Sequence, residues 1–257
     1  MRVKFEIVST DKIELPFSHS PIQQGLIYTF LKKEAAEWLH NQGFEYEKRS
    51  FKMFTFSDII ERGFPNHQEK RLTFPNGQIS FYVASPVDWI LQQSAQNLIT
   101  SEKIQLGSND AYVSSVSVLK QEKITTDKIK VKTLSPVTMH STFEKPDGKK
   151  VTHYYSPFED DFEKLLKTNL QKKWQSLYRE NCPYNNFSIK PMFATNRKEK
   201  IRYFKGTLIK GWTGMFEIEG DPELLQLALD TGLGDRNSQG YGMVEMLNNR
   251  NRSRNNA

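Results

Sequence analysis

The chain has 257 residues, room for one large domain or two small ones with separate cores. Its composition, 37% hydrophobic and 26% charged, is that of an ordinary globular protein, and no apolar run approaches the roughly 20 residues of a membrane span. Cys182 is the single cysteine, which excludes an internal disulfide and a cysteine-rich zinc site, so an intracellular, cytoplasmic location is the default expectation. The net charge of +6 gives a basic surface, the usual footprint of a polyanion partner.

In chain order, residues 3–9 alternate polar and apolar and predict a strand, not a signal peptide. Ile22, Leu26, Ile27, Phe30, Leu31, Ala35, Trp38 and Leu39 follow helical spacing and predict one helix over 22–39. An aromatic strand is expected over 51–56, then a hairpin pairing 71–74 with 79–83 across Pro75-Asn76-Gly77. Ser85-Pro86 predicts a helix start with a serine cap, running towards Leu98, and a strand over 111–119 closes this half.

After the polar stretch 120–128, strands are predicted at 128–132 and 137–143, with a turn at Pro146-Asp147-Gly148. A long amphipathic helix over 158–178 buries Phe162, Leu165, Leu166, Leu170 and Trp174. Strands at 187–192, 201–208 and 214–219, a short helix at 222–229 and a strand at 241–246 complete the pattern. Residues 248–257, nearly all Asn and Arg, are expected to be disordered. The whole predicts an α+β fold, βαββαβ written twice: tandem ferredoxin-like domains over 1–122 and 123–247, each an antiparallel sheet with helices on one face.

The most distinctive segment runs from Thr231 to Gly242, with glycines at 232, 234, 240 and 242. Glycine permits positive φ and close backbone approach, and free N–H groups in such a loop cradle phosphate. The segment leaves a helix and enters a strand, the reverse of dinucleotide and Walker loops, so a structural turn or an RNA backbone contact through Arg236 is expected.

The stretch from Gly232 to Val244 resembles the C-terminal signature of the CRISPR-associated repeat-processing endoribonucleases, part of the RAMP superfamily. Gln24-Gly25-Leu26-Ile27-Tyr28, Leu39-His40, Phe51-Lys52-Met53-Phe54-Thr55-Phe56-Ser57 and Leu134-Ser135-Pro136 resemble the same family, so the likeness spans residues 3–246. It implies two tandem ferredoxin-like domains and cleavage of precursor CRISPR RNA within repeats. It further implies no metal or other cofactor, and a 2′,3′-cyclic phosphate product. The family's catalytic tyrosine, histidine and lysine fall on Tyr28, His40 and Lys52.

These residue types suit the reaction. Histidine transfers protons near neutral pH, lysine stabilises developing oxyanion charge, and an ordinary tyrosine, with a pKa near 10, is a poor base that orients the 2′-hydroxyl. The sequence leaves open which of Tyr28 and His40 is base or acid. Taken singly, each has a plainer role: His40 as a helix-terminal cation, Tyr28 as core, Lys52 as the solvent side of a strand.

Further RNA-contact candidates are His19, Lys128, Lys130 and Lys132 alternating on one strand, Arg197, Lys198, and Gly232, Gly234, Arg236, Gly240 and Gly242 of the loop. Lys172 and Lys173 are a further RNA-contact group that the helix dipole alone would explain, and His67, His140 and His153 are read as surface residues. The acidic run Glu159, Asp160, Asp161 and Glu163 is read as a helix start rather than a metal site. The expected partner is CRISPR repeat RNA, followed by other CRISPR-associated interference proteins and a second copy in a homodimer, with no membrane. The competing function is a noncatalytic RAMP-type RNA-binding scaffold.

Overall fold

The structure is a computed structural model that describes residues 1–195 and 198–247. Arg197 and the tail over 248–257, both singled out in the sequence, lie outside the described residues.

The first half contains β1 (Arg2–Val8), β2 (Ile13–Pro16), α1 (Ser20–Thr29), α2 (Lys33–Asn41), β3 (Phe44–Tyr46), β4 (Arg49–Phe51) and β5 (Thr55–Phe56). It continues with β6 (Phe64–Asn66), β7 (Arg71–Phe74), β8 (Gln78–Ala84), α3 (Asp88–Ile99), β9 (Ile104–Leu106) and β10 (Asn109–Leu119). The second half contains β11 (Lys128–Thr133), β12 (His140–Glu144), β13 (Lys150–Tyr154), α4 (Asp160–Tyr178), β14 (Phe187–Pro191), β15 (Glu199–Phe204) and β16 (Thr207–Trp212). It ends with β17 (Met215–Gly220), α5 (Pro222–Thr231) and β18 (Val244–Met246).

The main sheets run β5-β8-β1-β10-β9 and β14-β17-β11-β18. With the four principal strands of each half numbered in sequence, both read 2-3-1-4, and the named pairings between them are antiparallel. That is the ferredoxin-like arrangement written twice. In β1 the alternation places Val3, Phe5 and Ile7 in a core with Leu26, Ile27, Ile90, Leu91 and Leu98 of α1 and α3. In β11 it places Ile129 and Val131 in a second core with Phe162, Leu166, Leu170, Leu224 and Leu225 of α4 and α5.

The helix predicted over 22–39 is two helices. Phe30 and Leu31 are both buried, and the Leu31 N–H donates to the Tyr28 carbonyl, tightening the last turn of α1. Lys32 then takes an extended conformation (φ −58, ψ 145) before α2 begins. No Gly or Pro marks this break, so the periodicity runs through it unbroken. The strand predicted over 51–56 also divides: β4 pairs with β3, β5 pairs with β8, and Met53 between them has φ 52. The segments 137–143 and 201–208, each expected as one strand, are also divided. The first supplies isolated bridges at Val137 and Thr138 before β12; the second turns back at Lys205-Gly206 as the β15–β16 hairpin. Both hairpins, β12–β13 and β15–β16, are insertions outside the main sheet.

Ser85 does not cap α3, whose N-cap residue is Val87. Its hydroxyl accepts from the Val87 N–H (3.0 Å) and donates to the Met53 carbonyl (2.7 Å), fastening the chain beside Lys52.

The halves are joined by polar contacts. Arg202 makes two 2.6 Å bonds to the Asp58 carboxylate, Thr55 Oγ1 donates to the Tyr241 carbonyl (3.0 Å), and Arg2 donates to the Val244 carbonyl (2.7 Å). Among the described residues, no helix is long and apolar enough to cross a membrane.

Candidate nucleic-acid processing site

Tyr28, His40 and Lys52 come from three elements and meet where α2 ends. Tyr28, on α1, is half-buried, and its ring meets the His40 ring edge-on at 5.7 Å and the Phe54 ring at the same separation. His40 is exposed in the last turn of α2, with Nδ1 3.1 Å from Asn41 Oδ1. Lys52 follows β4, and its ammonium donates to the His40 carbonyl (2.9 Å), the Gln42 carbonyl (3.4 Å) and Ser50 Oγ (3.0 Å). An ammonium there satisfies carbonyls that the helix leaves unpaired and complements its negative end.

Partial burial lowers the Lys52 pKa, with Glu45 pulling the other way. Burial pushes the Tyr28 phenol up to about 12, further from any role as a base near neutral pH.

Lys52 also lines a cleft of about 720 Å³ between the halves, together with Arg49, His140, Lys173, Gly234 and Arg236; Tyr28 and His40 are not part of that lining. The glycine-rich loop forms its other wall. Leu233 N–H donates to the Gly242 carbonyl, Asp235 N–H to Thr138, and Gly242 N–H to Pro136. The N–H groups of Gly232 and Gly240 go to Ala228 and Asn237. Much of this backbone is therefore spent on protein carbonyls, leaving the side chains of Arg236, Asn237 and Gln239 on the cleft.

The other sequence candidates lie elsewhere. His19 is the N-cap residue of α1, with Nδ1 3.3 Å from the Pro16 carbonyl, and burial lowers its pKa against the pull of Asp58. Lys128, Lys130 and Lys132 share the exposed face of β11, but Lys128 pairs with Glu219 (2.8 Å) and Glu217 (3.5 Å), and Lys132 with Glu245 (2.6 Å). Lys198 is exposed just before β15, its carbonyl accepting from Thr213 N–H. The acidic run is occupied locally: Glu159 by His153 and the Ser156 N–H, Asp161 by Lys164, and Glu163 by the Ile189 N–H.

Two residues need correction. Lys173 is not a surface complement to the helix dipole: it is buried and donates to the carbonyls of Gly232 (2.7 Å) and Gly234 (3.2 Å). Nor is His140 an ordinary surface histidine: it lines the cleft against Asp235. The α4 pattern carries a signal for Lys173, since 162, 166, 169–170 and 173–174 fall on one helical stripe.

Burial pushes the Lys173 pKa down to about 7, with Asp235 pulling it up. Between that value and the ordinary lysine range, the unfolded chain binds a proton that the folded chain does not, so folding stability rises with pH above about 7. Thermal unfolding from pH 6 to pH 9 should show a steeper rise for wild type than for Lys173→Met. Parallel curves would refute the assignment.

A solved RAMP protein shares this fold, with a TM-score of 0.79 over 96% of this chain and 100% of that chain at 19% identity. Residues 119–246 match the family model for the C-terminal part of CRISPR associated protein Cas6, and the chain belongs to the Cas6 family. CRISPR-associated endoribonuclease Cas6 1 of Methanocaldococcus jannaschii is 27% identical over 256 residues, 98% of this chain and 94% of that protein. CRISPR-associated endoribonuclease Cas6 of Pyrococcus furiosus is 27% identical over 258 residues, 97% and 91% of the two chains.

Proposed function

We propose that this protein is an endoribonuclease that cuts precursor CRISPR RNA within its repeats, by attack of a ribose 2′-hydroxyl on the adjacent phosphorus. The observation that carries the reading is the convergence of Tyr28, His40 and Lys52 at the end of α2, in a chain of the Cas6 family. As the new P–O bond forms, the 2′-hydroxyl loses its proton and the 5′-oxygen leaves with one. The products are a 2′,3′-cyclic phosphate and a 5′-hydroxyl. His40 is the proton-transfer group, Lys52 stabilises charge at phosphorus, and Tyr28 orients the 2′-hydroxyl because burial makes it a weak acid.

The test is cleavage of the cognate repeat RNA in excess EDTA, with the product ends identified. A discrete cut leaving a cyclic phosphate is expected. A requirement for divalent metal, or a linear 3′-phosphate formed without a cyclic precursor, would refute the mechanism. Tight binding with no cut would instead favour the scaffold function.

A further inference from the structure

His140 opens β12, at the foot of the β12–β13 hairpin. Its Nδ1 lies 2.9 Å from Asp235 Oδ2, and its main-chain N–H donates to the same oxygen at 3.2 Å. The second carboxylate oxygen accepts from Asn169 Nδ2 at 3.1 Å and lies 3.8 Å from the Arg49 guanidinium, which comes from the other half of the chain. Asp235 is only 9% exposed, so this carboxylate is sunk in the wall and works as a mount. The Tyr154 ring packs on the imidazole at 5.6 Å and fixes its plane.

His140 Nδ1 sits within ion-pair distance of the Asp235 carboxylate without an aligned hydrogen bond, and Nε2 is left for a ligand. Here that ring is 23% exposed and lines the cleft with Arg49, Lys52 and Arg236. Arg236 Nε is buried without a hydrogen-bond partner among the described residues. Arg49 and Lys52 from one half and Arg236 from the other thus put fixed cations on one cleft, with the Asp235 carboxylate set behind Arg49 and His140.

We infer that Arg49 and His140, both mounted on Asp235, grip a phosphodiester of the RNA strand in the interdomain cleft, setting affinity rather than the rate of cutting. The inference rests on the endoribonuclease function proposed above, and it identifies positioning residues separate from Tyr28, His40 and Lys52. It also gives the cleft a mechanical property: a strand held by Arg49 and His140 touches both halves of the chain through one buried carboxylate.

The experiment uses repeat RNA carrying a 2′-deoxy substitution at the cut site, so that binding is read without cleavage. Kd is measured across salt concentrations for wild type, Arg49→Ala and His140→Ala. Each variant should bind about tenfold more weakly, and Arg49→Ala should lower the slope of log affinity against log salt by about 0.7, the loss of one single-strand phosphate contact. With cleavable RNA the loss should fall on KM, with kcat falling far less. Arg49 is half exposed and its removal opens no cavity, so it carries the test even where His140→Ala unfolds. Wild-type affinity and salt slope in Arg49→Ala would overturn the proposal, as would a kcat loss in His140→Ala as large as its Kd loss. A wild-type protein that does not bind repeat RNA at all would overturn the proposed function itself.

Discussion

His40→Ala should slow single-turnover cleavage at saturating RNA by about 10²–10⁴-fold, the usual contribution of a positioned proton-transfer group. RNA affinity should change by no more than about threefold, because one exposed side chain is removed and the cleft lining is left intact. His40 gives a cleaner readout than Lys52. The Lys52 ammonium holds two carbonyls at the end of α2, so its loss disturbs that helix end as well as the charge it places there. Cleavage by His40→Ala at the wild-type rate would remove His40 from the chemistry.

Gly242→Ala is the second large effect, and it falls on stability. A Cβ at Gly242 would lie 2.0 Å from the Leu233 carbonyl oxygen and 2.5 Å from Asn237 Nδ2, on a backbone with φ +76. Neither neighbour is free to yield. Asn237 Nδ2 donates to the carbonyls of Leu233 and Tyr241, and Leu233 N–H donates to Gly242 O. Backbone strain and overpacking together should cost about 3–5 kcal/mol, a fall in Tm of roughly 10 °C for a chain of this size. Gly148→Ala is the control: it has φ +77 with no atom within 4 Å of the added Cβ, and should cost about 1 kcal/mol. Thermal unfolding of the two variants decides the matter, and equal shifts would show that crowding at Gly242 is not what the loop depends on.

Much of this fold is legible in the amino acids because each half writes its strands and helices in different periods. The alternation in β1 and β11, and the helical stripe of α4, need no tertiary information. The split between α1 and α2 does need it: the chain breaks helix to bury Phe30 and Leu31 together, and apolar spacing alone is blind to that. The β12–β13 and β15–β16 hairpins are hidden for a related reason. Their exposed faces carry Phe143, Val151, Ile201 and Tyr203, so their pattern resembles that of a sheet strand. At the site, Tyr28, His40 and Lys52 are marked only by family resemblance, and their meeting point is a property of the fold. His140 and Lys173 escaped because a histidine at a strand end and a lysine late in a helix are commonly solvated. What sets them apart is Asp235, which reaches them only once the glycine-rich loop has folded back.

The bond from Lys52 to the His40 carbonyl ties two residues of the proposed site together through the main chain. What lies between them, the β3–β4 hairpin, returns Ser50 and Lys52 to the same helix end and carries Arg49 to Asp235. The tip of that hairpin, at Glu47 and Lys48, can therefore change in length without altering the spacing of His40 and Lys52.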